Sequence, residues 1–232
     1  NSLKKAKEYF RPSINLLHDP FLMKDMKKVV EKIENSREER VMILGDYDVD
    51  GTTSTAMLHK YFTKINYDIL YYIPDRYDEG YGVSDKAIEY AEKNKVSLII
   101  TVDCGIKANK QVELSNSKNI EIIICDHHLP SDQIPNAFGI LNPKQENCKY
   151  PFKDLCGCGI AYKLISAHNS LLDNSIDISV FLDFVALATV SDMMPIIDEN
   201  RIMVFHGLKI INSKPRIGLR NFLKSINGRI DE

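Results

Sequence analysis

Short, unbroken apolar runs, separated by segments whose apolar residues recur at helical spacing, limit what this chain can fold into. Val41–Leu44, Ile69–Ile73, Leu98–Val102, Glu121–Cys125 and Phe138–Leu141 place apolar side chains on consecutive positions. A strand with one wet face alternates, whereas a strand covered on both faces does not, so these runs predict a parallel sheet. Thr52–Ile65, Ser84–Asn94 and Lys107–Lys118 lie between them and predict helices. Strand and helix in alternation imply right-handed crossovers, and the expected fold is α/β, a parallel sheet with helices on both faces.

The C-terminal third changes character: Gly157–Leu172, Ile178–Val190 and Ile196–Ile211 predict helices with few strands among them. A further helix is expected from Phe21 through Ile33, started by Asp19-Pro20. Residues 1–40 then form a helical extension packed on the core, 41–212 the α/β domain, and 213–232, which carry Pro215, the start of a connection leaving it.

Composition narrows the function. The 232 residues hold 30 basic and 32 acidic side chains, a net charge of −2, which excludes a polybasic nucleic-acid binder. Hydrophobic residues at 44% and charged ones at 27% are ordinary for a chain that buries a core. No apolar run reaches the roughly 18 residues of a membrane span, and Asn1–Arg11 lacks the apolar stretch of a secretion signal. A soluble, cytoplasmic protein without membrane partners is expected. The 5 cysteines are an odd number, two of them in apolar runs, which argues against a disulfide framework. Cys156-Gly-Cys158 has no second pair at zinc spacing, and a Gly-rich turn of small side chains explains it equally well.

In an open parallel sheet, ligands bind beyond the carboxyl ends of the strands. Here those positions carry Asp46-Tyr-Asp48-Val-Asp50-Gly, Asp103-Cys-Gly and Asp126-His127-His128; Ser191-Asp192-Met-Met-Pro195 ends another apolar segment. Taken singly, these read as helix caps, solvated turns or surface histidines. Brought to one edge, the carboxylates would repel unless a cation lay between them. Hard oxygens with imidazole suit Mg²⁺ or Mn²⁺, in numbers sufficient for two ions sharing a carboxylate, and the matching chemistry is phosphoryl hydrolysis. His18, His59, His168 and His206 have no acidic neighbours in register and are expected to be surface or packing residues.

Other groups suit phosphates. Arg76 can fork onto a phosphate and Tyr81 can stack on a base, although both also fit an ordinary loop. Gly157-Cys-Gly159 opens a helix that carries Lys163, which suits an anion at a helix N-terminus.

Asp46-Tyr-Asp48-Val-Asp50-Gly-Thr-Thr, Thr101-Val-Asp103-Cys-Gly, Asp126-His127-His128, Gly157-Cys-Gly159 and Ser191-Asp192-Met-Met-Pro195 together resemble the DHH phosphoesterase superfamily. Within it, Asp19-Pro-Phe-Leu, Glu79-Gly-Tyr-Gly-Val83, Leu141-Asn-Pro-Lys144 and Pro215-Arg-Ile-Gly-Leu219 resemble the RecJ family of single-strand-specific 5′→3′ DNA exonucleases, from about Ile14 to Leu223. The resemblance implies metal ligation by Asp48, Asp50, Asp103, His127 and Asp192, with Asp103 bridging two Mn²⁺ or Mg²⁺ ions and Asp46 completing the first site. It makes Asp126 an orienting residue and His128 a contact to the scissile phosphate, with Arg76, Asn142 and Lys144 holding substrate. It further implies release of 5′-mononucleotides from single-stranded DNA in repair and recombination, with a helicase or single-strand-binding protein as a candidate partner. RecJ proteins continue into a DHH-associated domain and an oligonucleotide-binding module; nothing after Leu223 matches either, so a catalytic core with weak grip on DNA is expected.

One departure is Leu44, where many relatives carry His or Tyr. Three rival readings remain. A haloacid-dehalogenase-like phosphatase would use Asp48 as nucleophile but leave Asp46, Asp126-His127-His128 and Asp192 without a role. A non-catalytic replication scaffold, or a phosphoesterase for short oligonucleotides, cyclic dinucleotides or pyrophosphate, would keep the same core.

Overall fold

The consecutive β-branched residues of the apolar runs form a five-stranded, wholly parallel sheet in the order β2-β1-β3-β4-β5. Its strands are β1 (Arg40–Gly45), β2 (Asp68–Tyr72), β3 (Leu98–Val102), β4 (Glu121–Cys125) and β5 (Gly139–Leu141). The coordinates, a computed structural model, describe residue 6 and residues 9–225. Register decides where the site lies. Gly45 pairs with Val102, Val102 with Cys125 and Cys125 with Leu141, so four strands finish in step. The next residues along the rim are therefore Asp46, Asp103, Asp126 and Asn142. Asp103 N–H donates to Cys125 O (2.9 Å) and Asp126 N–H to Leu141 O (3.1 Å), which extends the ladder into the acidic edge.

Both faces are covered, as the unbroken apolar runs require. Ile43, Ile100, Val102 and Ile123 face α1 (Met26–Asn35), α2 (Val49–Lys64), α5 (Gly157–Asn169) and α6 (Leu182–Ser191). Met42, Leu44, Ile99, Ile122 and Ile124 face α3 (Asp85–Lys93) and α4 (Asn109–Ser117) on the other side. Two more helices, α7 (Asp198–Ser213) and α8 (Ile217–Ser225), follow α6. No helix among the described residues is long and apolar enough to cross a membrane.

Several predicted boundaries move for local reasons. The helix expected over Phe21–Ile33 is interrupted: Pro20–Leu22 form a 3-10 turn and Asp25 takes φ 68°, so α1 starts at Met26. The segment expected from Ile178 begins as a 3-10 turn, Ser179–Phe181, before α6. The segment expected from Ile196 becomes α7 only at Asp198. Beyond Pro215, Arg216 donates to Val180 O (2.8 Å) and Asp183 (2.9 Å), tying α8 back to the start of α6. Leu219 and Leu223 pack there against the cluster of Ala186, Val204 and Ile211. The parts of the expected terminal segments in residues 1–5, 7–8 and 226–232 lie outside the described residues.

Lys163 behaves otherwise than its sequence context predicts, and His18 and His168, expected as surface or packing residues, gain acidic partners from distant segments. Lys163, expected to serve an anion at the N-terminus of α5, is buried and paired with Glu199 instead. Glu199 also accepts from the Tyr150 hydroxyl and from His18 N–H (2.7 Å), while Lys163 Nζ donates to His18 O (3.1 Å). This buried cluster clasps the N-terminal segment to α5 and α7. His18 has a second acidic neighbour in Asp198, 3.0 Å away. His168 is wholly buried, with Glu34 at 2.8 Å and the Tyr61 hydroxyl at 2.7 Å. The acidic partners missing from local sequence come from distant segments. Cys156 caps α5, its sulfur accepting from Gly159 N–H (3.3 Å), which gives the Cys-Gly-Cys turn a structural use.

Removing one partner of a buried ion pair leaves the other charge uncompensated, at a cost of about 3–5 kcal/mol. Lys163→Met is expected to lower the unfolding free energy measured by urea denaturation by that order, more than Lys163→Met combined with Glu199→Leu. A loss in the double variant equal to the sum of the Lys163→Met and Glu199→Leu losses would show that the pair is not coupled.

Candidate metal centre

The acidic rim is built by backbone features that differ from residue to residue. Asp48 is the N-cap of α2, its Oδ1 accepting from Gly51 N–H (2.9 Å). Asp50 follows in the first turn and is buried against the N-terminus of α5, where its oxygens accept from Gly157 N–H (2.6 Å) and Cys158 N–H (2.7 Å). The anion that the Gly-Cys-Gly turn binds is thus the protein's own carboxylate. Asp103 sits in the left-handed region at φ 61°, unusual for a residue with a side chain. A Cβ on Gly157 would fall 2.7 Å from Asp103 Cβ, so only glycine lets α5 approach this closely.

Asp126 is buried and fully engaged, accepting from Ile106 N–H (2.9 Å), His128 N–H (3.1 Å) and His128 Nδ1 (2.8 Å). It holds the His128 ring so that the opposite nitrogen turns away from it. His127 points inward: its Nε2 lies 3.2 Å from Asp103 Oδ1, 3.6 Å from Asp192 Oδ2 and 3.9 Å from Asp50 Oδ2. Three overlapping groups each bring ligand atoms within 4.8 Å of one another: Asp46, Asp48 and Asp103; Asp50, His127 and Asp192; Asp103, His127 and His128. Every residue expected to ligate metal lies in this one cluster, and Asp103 belongs to two of the groups.

The electrostatics call for a cation. Asp46 Oδ1 and Asp103 Oδ1 are buried without a hydrogen-bond partner, in an interior where such atoms are normally paired. Burial drives the Asp103 carboxyl far above the usual carboxylate range, and the charges of Asp50, Asp48, Asp126 and Asp192 add to the effect. Burial raises Asp50 to about 6 despite its two amide donors. It raises Asp46 and Asp192 as well, with Asp48 adding repulsion in both cases. His127 falls to about 4 through burial, next to the charge of His128, and is a neutral imidazole able to ligate metal. His128 is raised by its hydrogen bond to Asp126. Orphaned carboxylate oxygens, a neutral imidazole and no thiolate fit a hard divalent ion.

The residues expected to hold substrate divide. Arg76 is exposed, its guanidinium 5.4 Å from the ring of Tyr47, the residue between Asp46 and Asp48. Lys144 is half-buried, and its charge acts on His127, His128 and Asp192. Asn142 is wholly buried and committed to the chain: Nδ2 donates to His128 O (2.9 Å) and Oδ1 accepts from Lys144 N–H (2.8 Å). It shapes the turn and offers substrate nothing. Gly157 and Gly159 are likewise corrected, because their amides serve Asp50 and Cys156. Tyr81 was expected to stack on a base; its hydroxyl instead donates to Asp103 O (3.1 Å) and meets His128 Nδ1 (3.2 Å), with the ring edge-on to the imidazole. Local sequence carries no sign of that task beyond the Gly-Tyr-Gly turn, whose Gly80 and Gly82 take φ 78° and 88°. Glu79 was also missed: it accepts from the Tyr72 hydroxyl (2.9 Å) and Asp75 N–H (3.0 Å), bracing the loop that carries Arg76 and Tyr81.

A carboxyl raised on folding keeps protons that the unfolded chain releases, so the metal-free protein loses stability as pH climbs from about 4 through 6 and beyond. A divalent ion replaces those protons. Mn²⁺ is therefore expected to raise the melting temperature, and by more at pH 8 than at pH 5.5, in scanning fluorimetry. An unchanged melting temperature at both pH values would contradict the site.

Comparison with known proteins places the chain in a family. The family described as DHH family, N-terminal domain, matches residues 40–189. The single-stranded-DNA-specific exonuclease RecJ of Bacillus subtilis strain 168 is 39% identical over 217 residues, covering 93% of this chain and 27% of that protein. RecJ of Escherichia coli K12 is 36% identical over 216 residues, covering 87% of this chain and 37% of that one. A crystal structure of exonuclease RecJ bound to manganese superposes with a TM-score of 0.80 at 28% identity, over 91% of this chain and 53% of that chain. RecJ from Thermus thermophilus in complex with Mn²⁺ gives a TM-score of 0.80 at 26% identity, over 95% and 31%. The chain spans between a quarter and two-fifths of the length of these two curated relatives. The dehalogenase-like reading of Asp48 is set aside by this family match and by the use of Asp46, His127 and Asp192 in one cluster. The chain belongs to the DHH family, and within it matches the N-terminal portion of the RecJ exonucleases.

Proposed function

We propose that this chain is the catalytic core of a divalent-metal-dependent exonuclease that hydrolyses single-stranded DNA from the 5′ end and releases 5′-mononucleotides. The observation that carries the reading is the buried cluster around Asp103, whose Oδ1 accepts no hydrogen bond and faces the neutral His127 ring at 3.2 Å. Asp46, Asp48 and Asp103 would hold one ion and Asp50, Asp103, His127 and Asp192 the other, as Mn²⁺ or Mg²⁺. Bound there, the pair would supply positive charge to phosphate oxygens and acidify a water molecule for in-line attack.

The chain's own residues do the rest. Asp126 fixes the His128 ring through Nδ1 and favours its protonated form, so Nε2 offers a proton to a phosphate oxygen at the rim. Tyr81 also braces that ring, its hydroxyl 3.2 Å from Nδ1. Lys144 and Arg76 place cations at opposite parts of the rim, where a nucleic-acid backbone would need them. Asn142 and Gly157 keep the walls in place without touching substrate. In this reading residues 41–212 are the catalytic unit, braced by residues 9–40 and by α8. The reduced, mostly buried cysteines suit a reducing compartment such as the cytoplasm.

Incubation with Mn²⁺ and 5′-labelled single strands, duplex, short oligonucleotides and pyrophosphate tests the substrate directly. Slow release of labelled mononucleotide from single strands alone is expected. Preferential attack on pyrophosphate or on di- and trinucleotides would overturn the assignment. Asp103→Asn is expected to cut hydrolysis by about 10²-fold or more while raising the melting temperature of the metal-free protein. The second effect follows because the amide replaces a carboxyl that must take up a proton on folding at neutral pH. Retained activity, or a lower metal-free melting temperature, would contradict the role given to Asp103.

A further inference from the structure

The outward face of α2 forms one wall of a groove of about 770 Å³ that the metal centre does not use. The groove begins at Thr52, two residues after Asp50, and runs along the helix past His59 and Lys60 to Lys64. At 1.5 Å per residue that wall is about 18 Å long. Its other wall is the edge strand β2, through Tyr71, together with Phe184 at the start of α6. Tyr71 is 58% exposed, although it meets His59 edge-on at 5.4 Å.

Charge separates this groove from its neighbours. Its ionisable lining consists of His59, Lys60, Lys64, Tyr71 and Arg216, without a carboxylate, in a chain whose net charge is −2. Three other surface grooves each include an Asp or Glu. Among the described residues, neither Lys60 nor Lys64 forms an ion pair. Arg216 is held by Asp183, which leaves the two lysines as the uncompensated cations. A row of lysines facing an exposed aromatic ring is the arrangement that tracks a polyanionic backbone while its bases stack.

We infer that this groove, which starts at the N-terminal end of α2 where Thr52 donates to Asp48 O, is a binding track for single-stranded nucleic acid, in which Lys60 and Lys64 bind phosphates and Tyr71 stacks on a base. The inference rests on the proposed nuclease function and adds a second surface to it. At 3.4 Å or more per nucleotide, the track accommodates roughly three to five residues of a strand beyond the cleavage site. It follows that strands longer than about six nucleotides gain affinity from the groove, whereas di- and trinucleotides confined to the metal centre do not.

Fluorescence anisotropy with 3′-labelled oligothymidylates of three and twelve nucleotides, at low salt in EDTA, separates binding from cleavage. For the twelve-mer, Lys60→Ala with Lys64→Ala is expected to weaken binding about tenfold and to reduce the slope of log K against log salt by roughly 0.7 per lysine. Tyr71→Ala is expected to cost about fivefold or more and Tyr71→Phe little. Trimer binding and the stabilisation by Mn²⁺ stay as in the unaltered chain. If the unaltered chain binds the twelve-mer and the variants bind it equally well, the track is refuted and the nuclease reading survives. If the unaltered chain binds no strand and hydrolyses none, the nuclease reading fails and takes the track with it. Variants that keep their DNA affinity but lose binding of an acidic peptide carrying a central phenylalanine would overturn the inference and assign the groove to a protein partner.

Discussion

Mutual repulsion among buried carboxylates is the constraint on which the rest of this structure depends. Asp46, Asp50 and Asp103 are almost entirely removed from water, and His127 among them is neutral. Charges so placed are costly unless countered. The fold resolves one of them internally by aiming the N-terminus of α5 at Asp50. It leaves Asp46 and Asp103 unresolved. Unpaired groups of this kind are retained where a ligand completes them, and the donor set here describes that ligand as a hard divalent cation.

Holding such groups together requires a scaffold that cannot relax. Parallel strands ending in step set Asp46, Asp103 and Asp126 along one rim, and the ladder continues past the strand ends through the amides of Asp103 and Asp126. The left-handed backbone at Asp103 and the bare α-carbon of Gly157 bring a helix N-terminus to within contact of that rim. Behind it, the buried Lys163–Glu199 pair and its Tyr150 and His18 partners lock α5 to α7 and to the N-terminal segment. A loss of packing there would be transmitted to the amides that hold Asp50. The site is therefore a property of the whole domain and not of its motifs alone.

The parallel sheet and the acidic rim were legible in the sequence because both are written locally. Apolar runs such as Leu98–Val102 mark strands buried on two faces, and the residue that follows each run falls on the ligand-binding edge. What stayed hidden depends on partners far along the chain. Nothing near Lys163 announces Glu199, and nothing near His168 announces Glu34. Gly157 looked like a phosphate cradle because a Gly-x-Gly turn before a helix offers free amides, but those amides were already claimed by Asp50. The family resemblance implied that Asn142 holds substrate, whereas its side-chain amide closes a turn. Tyr81, read as a stacking residue, turns its hydroxyl towards Asp103 and His128 because the loop glycines permit the bend.

The measurement that tests the account most directly is a crystal of this chain soaked in Mn²⁺ and examined by anomalous scattering. The account predicts two peaks about 3.5–4 Å apart, both within ligand distance of Asp103 and flanked by Asp48 on one side and His127 on the other. Anomalous density absent from this rim at millimolar Mn²⁺, or found only at exposed surface carboxylates, would contradict it.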